Sequence, residues 1–267
     1  MSRGSGDGTV GKALEVLEEV ANFGRPVRFN DVLAQSRFPK PTLYRLIQTL
    51  TNQGMLDFDP ERSTYAPGAR LVRLAHAAWQ QSSLAQVASP YLQELSEQTG
   101  ETVHLAQLDS AQVLYLDKRN AKQPVEMYSQ AGKVGPAYCT GVGKAMMAFL
   151  PDAEAEKVIG QQSFHIFTEH TLANAEALKE ELAEIREHGY GFDREEHEPG
   201  IICVAMPILT ERGRLIGAMS VTSTTDRTNL ASLEKNVPLL KTAADAISRE
   251  AQRWSFPDHQ KQQATGL

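Results

Sequence analysis

Lys40-Pro41-Thr42-Leu43-Tyr44-Arg45-Leu46-Ile47-Gln48-Thr49-Leu50 is the stretch from which the first third of the chain is read. Leu43, Leu46, Ile47 and Leu50 recur at i, i+3, i+4 and i+7, the apolar stripe of an amphipathic helix. At about 100° per residue, Thr42, Arg45, Gln48 and Thr49 point away from that stripe, with Tyr44 on its flank. Pro41 suits the first helical position and Gly54 the stop, so the spacing predicts a helix over residues 41–52.

Working outward, Val10, Ala13, Leu14, Val16, Leu17 and Val20 repeat near a 3.6-residue period and end at Phe23-Gly24, a first helix. Asn30 is a good N-cap for a second helix over residues 31–36, and Pro39-Lys40-Pro41 breaks it. After Gly54, residues 55–58 and 63–66 alternate around the polar tip Asp59-Pro60-Glu61-Arg62, which predicts a β-hairpin. Helix, helix, turn, helix and hairpin make a winged helix-turn-helix, expected over residues 9–67 behind a disordered Gly/Ser-rich tail at 1–8.

Such a helix fits the major groove of B-DNA. Arg45 is suited to a bidentate contact with guanine or a phosphate, while Thr42, Gln48 and Thr49 offer shorter hydrogen bonds. Tyr44 is placed to stack on sugar or touch a thymine methyl, and Arg37, Lys40 and Arg62 to lie along the phosphate backbone. Charge needs separate treatment, because the 267-residue chain carries 27 Lys and Arg against 33 Asp and Glu, a net of −6. Residues 1–78 hold ten basic and eight acidic side chains, a net of +2, which leaves −8 on the rest. Between Arg25 and Arg45 five basic residues face one acid, Asp31. A basic module joined to an acidic one is a hint of nucleic-acid binding that the total conceals.

Residues 69–81 read as a helix, expected to be a linker over 68–82 that also pairs with a second subunit. The following region, 83–254, changes character. A helix is expected over 84–99, an antiparallel pair over 102–108 and 113–117, and a short strand over 125–129. Helices follow over 143–150, 153–159 and 176–187, and a strand after Gly191. Ile201–Leu209 and Leu215–Thr224 then pair across Glu211-Arg212-Gly213-Arg214, and a helix covers 230–254. Antiparallel strands framed by helices make an α+β domain, and residues 255–267 are expected to be a flexible tail.

Ile201–Leu209 is the longest apolar run, nine residues against the ~20 of a membrane-spanning helix, so no membrane partner is expected. Two cysteines exclude a disulfide framework and no apolar signal segment is visible, which predicts a cytoplasmic setting. Gly141-Val142-Gly143-Lys144 approaches a nucleotide-binding loop, but Tyr138 and Ala145 occupy positions where that pattern needs Gly and Ser or Thr. The amides of such a turn still suit a small anion. Cys203 with His197 and Asp193 offers a thiol, an imidazole and a carboxylate. A Cys-dependent hydrolase fused to an interaction module is therefore the alternative, although Cys203 lies inside an apolar strand. His104, Asp193, His197 and Cys203 have metal-ligand chemistry without metal-ligand spacing, so neither metal nor cofactor is expected.

Three segments together, residues 40–50 with Gly54, residues 138–145, and Gly191-Phe192-Asp193-Arg194-Glu195-Glu196-His197-Glu198-Pro199-Gly200, resemble the IclR family of bacterial transcription regulators. The resemblance covers about residues 10–252. It implies an N-terminal winged helix-turn-helix, a linker helix and a C-terminal GAF-like effector domain with an antiparallel sheet. It also implies dimers or tetramers, a pseudo-palindromic operator in double-stranded DNA, and control by a small organic acid or related metabolite. By this resemblance the effector meets the backbone amides of Gly141 and Val142, the side chains of Asp193, Cys203, Ser220 and Thr222, and apolar walls from Met127 and Ile201. Thr222 stands where a second serine is common. The function implied is a non-enzymatic, ligand-responsive repressor of a catabolic operon.

Overall fold

The computed structural model describes residues 8–81 and 83–252, and the chain divides into two compact units between Gln81 and Ser82. The expected tails at 1–8 and 255–267 lie outside the described residues, apart from Gly8, which opens the first helix.

In the first unit, α1 (Gly8–Asn22) buries Val16, Leu17 and Val20 and leaves Val10 and Leu14 exposed. β1 (Val27–Arg28), to which the sequence reading assigns no element, pairs antiparallel with the later hairpin strand. The second helix, α2 (Phe29–Gln35), begins two residues before its expected start, so Asn30 lies within it. The reason is Asp31, whose carboxylate accepts the Arg28 backbone N–H at 3.0 Å and ties down the chain three residues earlier. α3 (Lys40–Asn52) has the expected stripe, with Leu43, Leu46, Ile47 and Leu50 all buried. Gly54 adopts φ +68° just past its end, and the Met55 N–H returns to the Leu50 carbonyl at 2.9 Å, a glycine-terminated helix stop. β2 (Leu56–Asp59) and β3 (Thr64–Pro67) form the hairpin, in a sheet of order β1-β3-β2. α4 (Ala69–Gln81) completes the unit and exposes Val72 and Leu74.

The second unit is a six-stranded, wholly antiparallel sheet between layers of helices. Its elements in order are α5 (Ser83–Thr99), β4 (Thr102–Asp109), β5 (Gln112–Arg119), β6 (Val134–Pro136), α6 (Gly141–Met147), α7 (Asp152–Ile159), α8 (Ala175–His188), β7 (Gly191–Arg194), β8 (Ile201–Leu209), β9 (Leu215–Thr224), α9 (Leu230–Glu234) and α10 (Val237–Gln252). Strand order is β6-β5-β4-β9-β8-β7, so β4 lies beside β9 although more than a hundred residues separate them. Alternation sorts the strands onto two faces. Val103, Leu105, Val204, Met219 and Val221 pack with residues of α5 and α10, while Ala106, Tyr115, Cys203, Ala205 and Ala218 pack with residues of α6 and α8.

Two expectations fail here. Residues 125–129 form no strand; the sheet edge is instead β6, which pairs with residues 112–114 of β5. The apolar alternation at 125–129 serves burial without pairing, since Met127 and Ser129 are buried and Tyr128 is exposed. The long last helix is broken into α9 and α10 at Lys235-Asn236, because Pro238 lacks the N–H that continuity with Glu234 needs.

Candidate functional site

On the first unit, the polar residues of α3 are displayed as a surface. Lys40, Tyr44, Arg45 and Thr49 are exposed, and Thr42 and Gln48 are half-buried beside the apolar stripe. Tyr44 packs edge-on against Phe29 at 6.0 Å between ring centroids. The Thr49 hydroxyl donates to the Arg45 carbonyl at 2.9 Å, so its donor is engaged within the helix. Arg37 pairs with Glu15 on α1 at 2.6 Å, and Arg62 lies 3.9 Å from Asp59 at the hairpin tip. Both guanidiniums are exposed and so can exchange these partners for phosphate at little cost.

The second unit holds a cavity at the start of α6. Strand register builds one wall, placing His104 opposite Ser220, Cys203 opposite Thr222, and Asp193 opposite Cys203. With Tyr115 from β5, these side chains share the α6 face of the sheet and line about 390 Å³ of empty space, part of it open to solvent. Gly141, Val142, Ser129, Ile201, His197 and Glu198 complete most of the rim.

Close approach of α6 to β8 requires glycine at the turn, since a Cβ on Gly141 would run into Cys203 Sγ and lie 3.2 Å from Ala205 Cβ. Thr140 occupies the N-cap of α6, yet its hydroxyl donates to the Pro136 carbonyl at 2.8 Å and makes no cap to the helix. The first-turn amides, which have no intrahelical acceptor, therefore remain uncapped beside the cavity.

Burial drives the His104 pKa down to about 3, with Lys118 adding to the shift, so the imidazole is neutral at physiological pH. Its Nε2 lies 2.9 Å from Ser129 Oγ, and its Nδ1 lies 3.2 Å from Thr222 Oγ1 and 3.4 Å from Ser220 Oγ. This network of hydroxyls around a neutral ring can donate or accept as a ligand demands. Asp193 is pushed up to about 7, chiefly by burial and then by Glu196, while the Glu196 backbone N–H donates to its Oδ1 at 2.9 Å. Burial also pushes the Cys203 thiol well above its ordinary value. A thiol kept protonated inside a strand is a poor nucleophile, which disfavours the hydrolase alternative.

Lys144, which follows the glycines, is fully buried and turned away from any phosphate role. Its ammonium pairs with Glu181 at 2.9 Å and with Glu196, and Arg194 reaches the same Glu181 oxygen at 2.7 Å. Desolvation opposes the charged lysine, but the two carboxylates outweigh it and raise its pKa. Thr168 and Thr171 donate to the Glu195 and Glu196 carbonyls at 2.7 and 2.6 Å, fixing the turn that carries this pair. Among the described residues no group of three His, Cys, Asp or Glu is arranged to hold a metal ion.

Of the effector residues named from the sequence, Gly141, Val142, Asp193, Ile201, Cys203, Ser220 and Thr222 converge on this cavity. Met127 is buried but is not among the lining residues. The sequence reading gave no ligand role to Tyr115, Ser129, Thr140 or Glu198, weighed His104 as a metal ligand, and weighed His197 as a metal ligand or the imidazole of a hydrolase. Strand alternation already put His104 on the face of Ala106, but which strand faces it is a matter of register, and Ser129 and Glu198 sit in irregular segments without a periodic signal.

Family models match along most of the chain. "IclR helix-turn-helix domain" matches residues 9–60, and "Bacterial transcriptional regulator IclR C-terminal" matches residues 76–249. The HTH-type transcriptional regulator XynR of Escherichia coli K12 is 34% identical, over 90% of this chain and 96% of its own. The transcriptional repressor IclR of the same organism is 30% identical, over 81% of this chain and 80% of its own. Among solved structures, the Thermotoga maritima IclR superposes with a TM-score of 0.72 at 28% identity, covering 91% of this chain and 98% of that one.

Proposed function

The chain belongs to the IclR family of bacterial transcriptional regulators, and on that premise we propose that it is a ligand-controlled repressor of a catabolic operon. One observation carries the effector half of this reading. Seven residues from four separate stretches of sequence meet at one cavity whose rim includes the uncapped first turn of α6. A small organic acid is the ligand such a site suits, its carboxylate on the Gly141 and Val142 amides and its remaining polar groups among Asp193, Ser220, Thr222 and neutral His104. Cys203 and Ile201 supply the less polar wall.

For DNA, Arg45 with Thr42, Tyr44 and Gln48 reads base edges in the major groove, while Arg37, Lys40, Thr49 and Arg62 hold the backbone. The exposed Val10 and Leu14 on α1 and Val72 and Leu74 on α4 support self-association, and two copies imply a pseudo-palindromic operator. Repression is supported by the resemblance to the E. coli repressor. The reading is of a cytoplasmic, non-enzymatic protein with a reading module at 9–67, a linker helix at 68–82 and an effector domain at 83–254. Among the described residues no helix is long and apolar enough to cross a membrane.

A mobility-shift assay on the upstream region of its own gene, titrated with organic acids, tests both halves. Arg45→Ala abolishes the specific complex and leaves ligand binding intact, whereas Asp193→Ala alters the ligand response and leaves DNA binding intact. An unchanged footprint for Arg45→Ala removes the recognition-helix assignment, and an unchanged response for Asp193→Ala removes the cavity assignment.

A further inference from the structure

Three consecutive carbonyls lead out of α3, and all three are taken by residues that lead into α4. The Met55 carbonyl accepts the Gly68 N–H at 2.9 Å, and the Gly54 carbonyl accepts the Arg70 backbone N–H at 3.4 Å. The Gln53 carbonyl, at the C-cap of α3, accepts from Arg70 Nη1 at 2.9 Å, and the same nitrogen donates to Gln53 Oε1 at 3.0 Å. Gly68 lets the two segments come this close, since a Cβ there would run into the Gly54 carbonyl oxygen. Leu71 then packs on the core that holds the buried stripe of α3.

These donors resist different motions. The two backbone bonds lie where the hairpin passes into α4 and form a pivot. The Arg70 guanidinium reaches from the first turn of α4 to the end of α3 and opposes a swing about that pivot. A cation is also favoured there, because the last carbonyls of a helix carry its negative end.

Beyond this junction α4 exposes Val72 and Leu74, half of the apolar surface assigned above to self-association. Two chains paired through α4 carry their two α3 helices at a separation and angle that the junction sets. A dimer of this kind reads half-sites at a fixed spacing. We propose that Arg70 is a positioning residue for operator recognition, bracing α3 against α4 so that the paired linker helices fix the half-site spacing the protein accepts. This rests on the reading of α3 as the recognition helix and of α4 as a pairing helix.

Mobility-shift titrations of the full chain test it on the DNA that the protein protects upstream of its own gene, against the same DNA with one base pair inserted between the halves. The insertion turns the second half-site by about 34° and moves it by ~3.4 Å. The wild type should lose at least about tenfold in affinity on the lengthened site. Arg70→Ala should bind the native spacing more weakly and lose no more than about threefold on the lengthened one. Both proteins should bind an isolated half-site equally well, which a general weakening of the fold would not leave intact. Salt dependence separates a brace from a phosphate ligand. The slope of log affinity against log salt stays unchanged in Arg70→Ala if the guanidinium is a brace. A slope reduced by about one, with the same loss on half-site and full site, means that Arg70 touches DNA and overturns the proposal. An Arg70→Ala protein as strict about spacing as the wild type overturns it too, and leaves the readings of α3 and α4 standing. A wild type indifferent to spacing, or one that forms no specific complex, removes those readings and the proposal with them.

Discussion

Lys144→Met should unfold much of the advantage that the second unit gains from its buried ion pairs. Methionine is unbranched and of similar length, so it fills the space without the charge. What remains is the carboxylate of Glu196, 2% exposed, with Oε2 already lacking a hydrogen-bond partner. Glu181 keeps Arg194 at 2.7 Å, so the uncompensated charge falls mainly on Glu196. Removing one member of a buried pair costs about 3–5 kcal/mol, a large share of the roughly 5–15 kcal/mol that stabilises a typical protein. The double variant Lys144→Met/Glu196→Gln removes the orphaned charge as well and should regain most of that loss. Direction with pH is a second signature. Glu196 is already raised by burial, and without Lys144 it rises further above its unfolded value. A folded-state carboxyl held above its unfolded pKa favours folding at low pH and loses that contribution as pH rises, so the single variant should recover relative to wild type on acidification. Urea unfolding followed by far-UV circular dichroism measures both effects. A single-variant loss below about 1 kcal/mol, or a double variant no better than the single, refutes a buried charge network around Lys144.

Asp193 gives a related prediction in the wild type. Its pKa of about 7 in the fold stands above its unfolded value near 4, so stability should decline between about pH 4 and about pH 7. Asp193→Asn should flatten that part of the profile in thermal melts; an unchanged slope means that the carboxyl is solvated. Gly141→Ala should cost about 1–3 kcal/mol by overpacking against Cys203 Sγ and Ala205 Cβ. Adding Cys203→Ala should recover part of it, since the Ala205 contact at 3.2 Å remains, and a double-mutant cycle with no coupling counts against the close approach.

The helical elements were legible because their causes are local. The four-residue stripe in α3, the glycine after it and the hairpin tip after that are each fixed by neighbours a few residues away, and the structure keeps all three. Where sequence reasoning went astray, a nearby competitor decided. Asp31 moved the start of α2, and Pro238 divided α9 from α10. Residues 125–129 have strand-like alternation but no strand partner, which only the arrangement of the sheet edge reveals.

The sequence by itself determined the class of most elements, the split of charge between a basic first part and an acidic second, and, through the family resemblance, seven of the thirteen residues that line the cavity. Tertiary structure decided how those residues are used. Only the pairing of β4 with β9 brings His104 to Ser220 and Thr222, and burial there keeps the ring neutral well below the pH at which a free imidazole takes up its proton. Only the packing of α6 on β8 makes Gly141 obligatory and turns Lys144 from an apparent phosphate ligand into a buried counter-ion. Glu198 lies within the third family-like segment, yet the sequence reading gives it no role, because only the fold sets it at the cavity beside His197 and the Tyr128 amide.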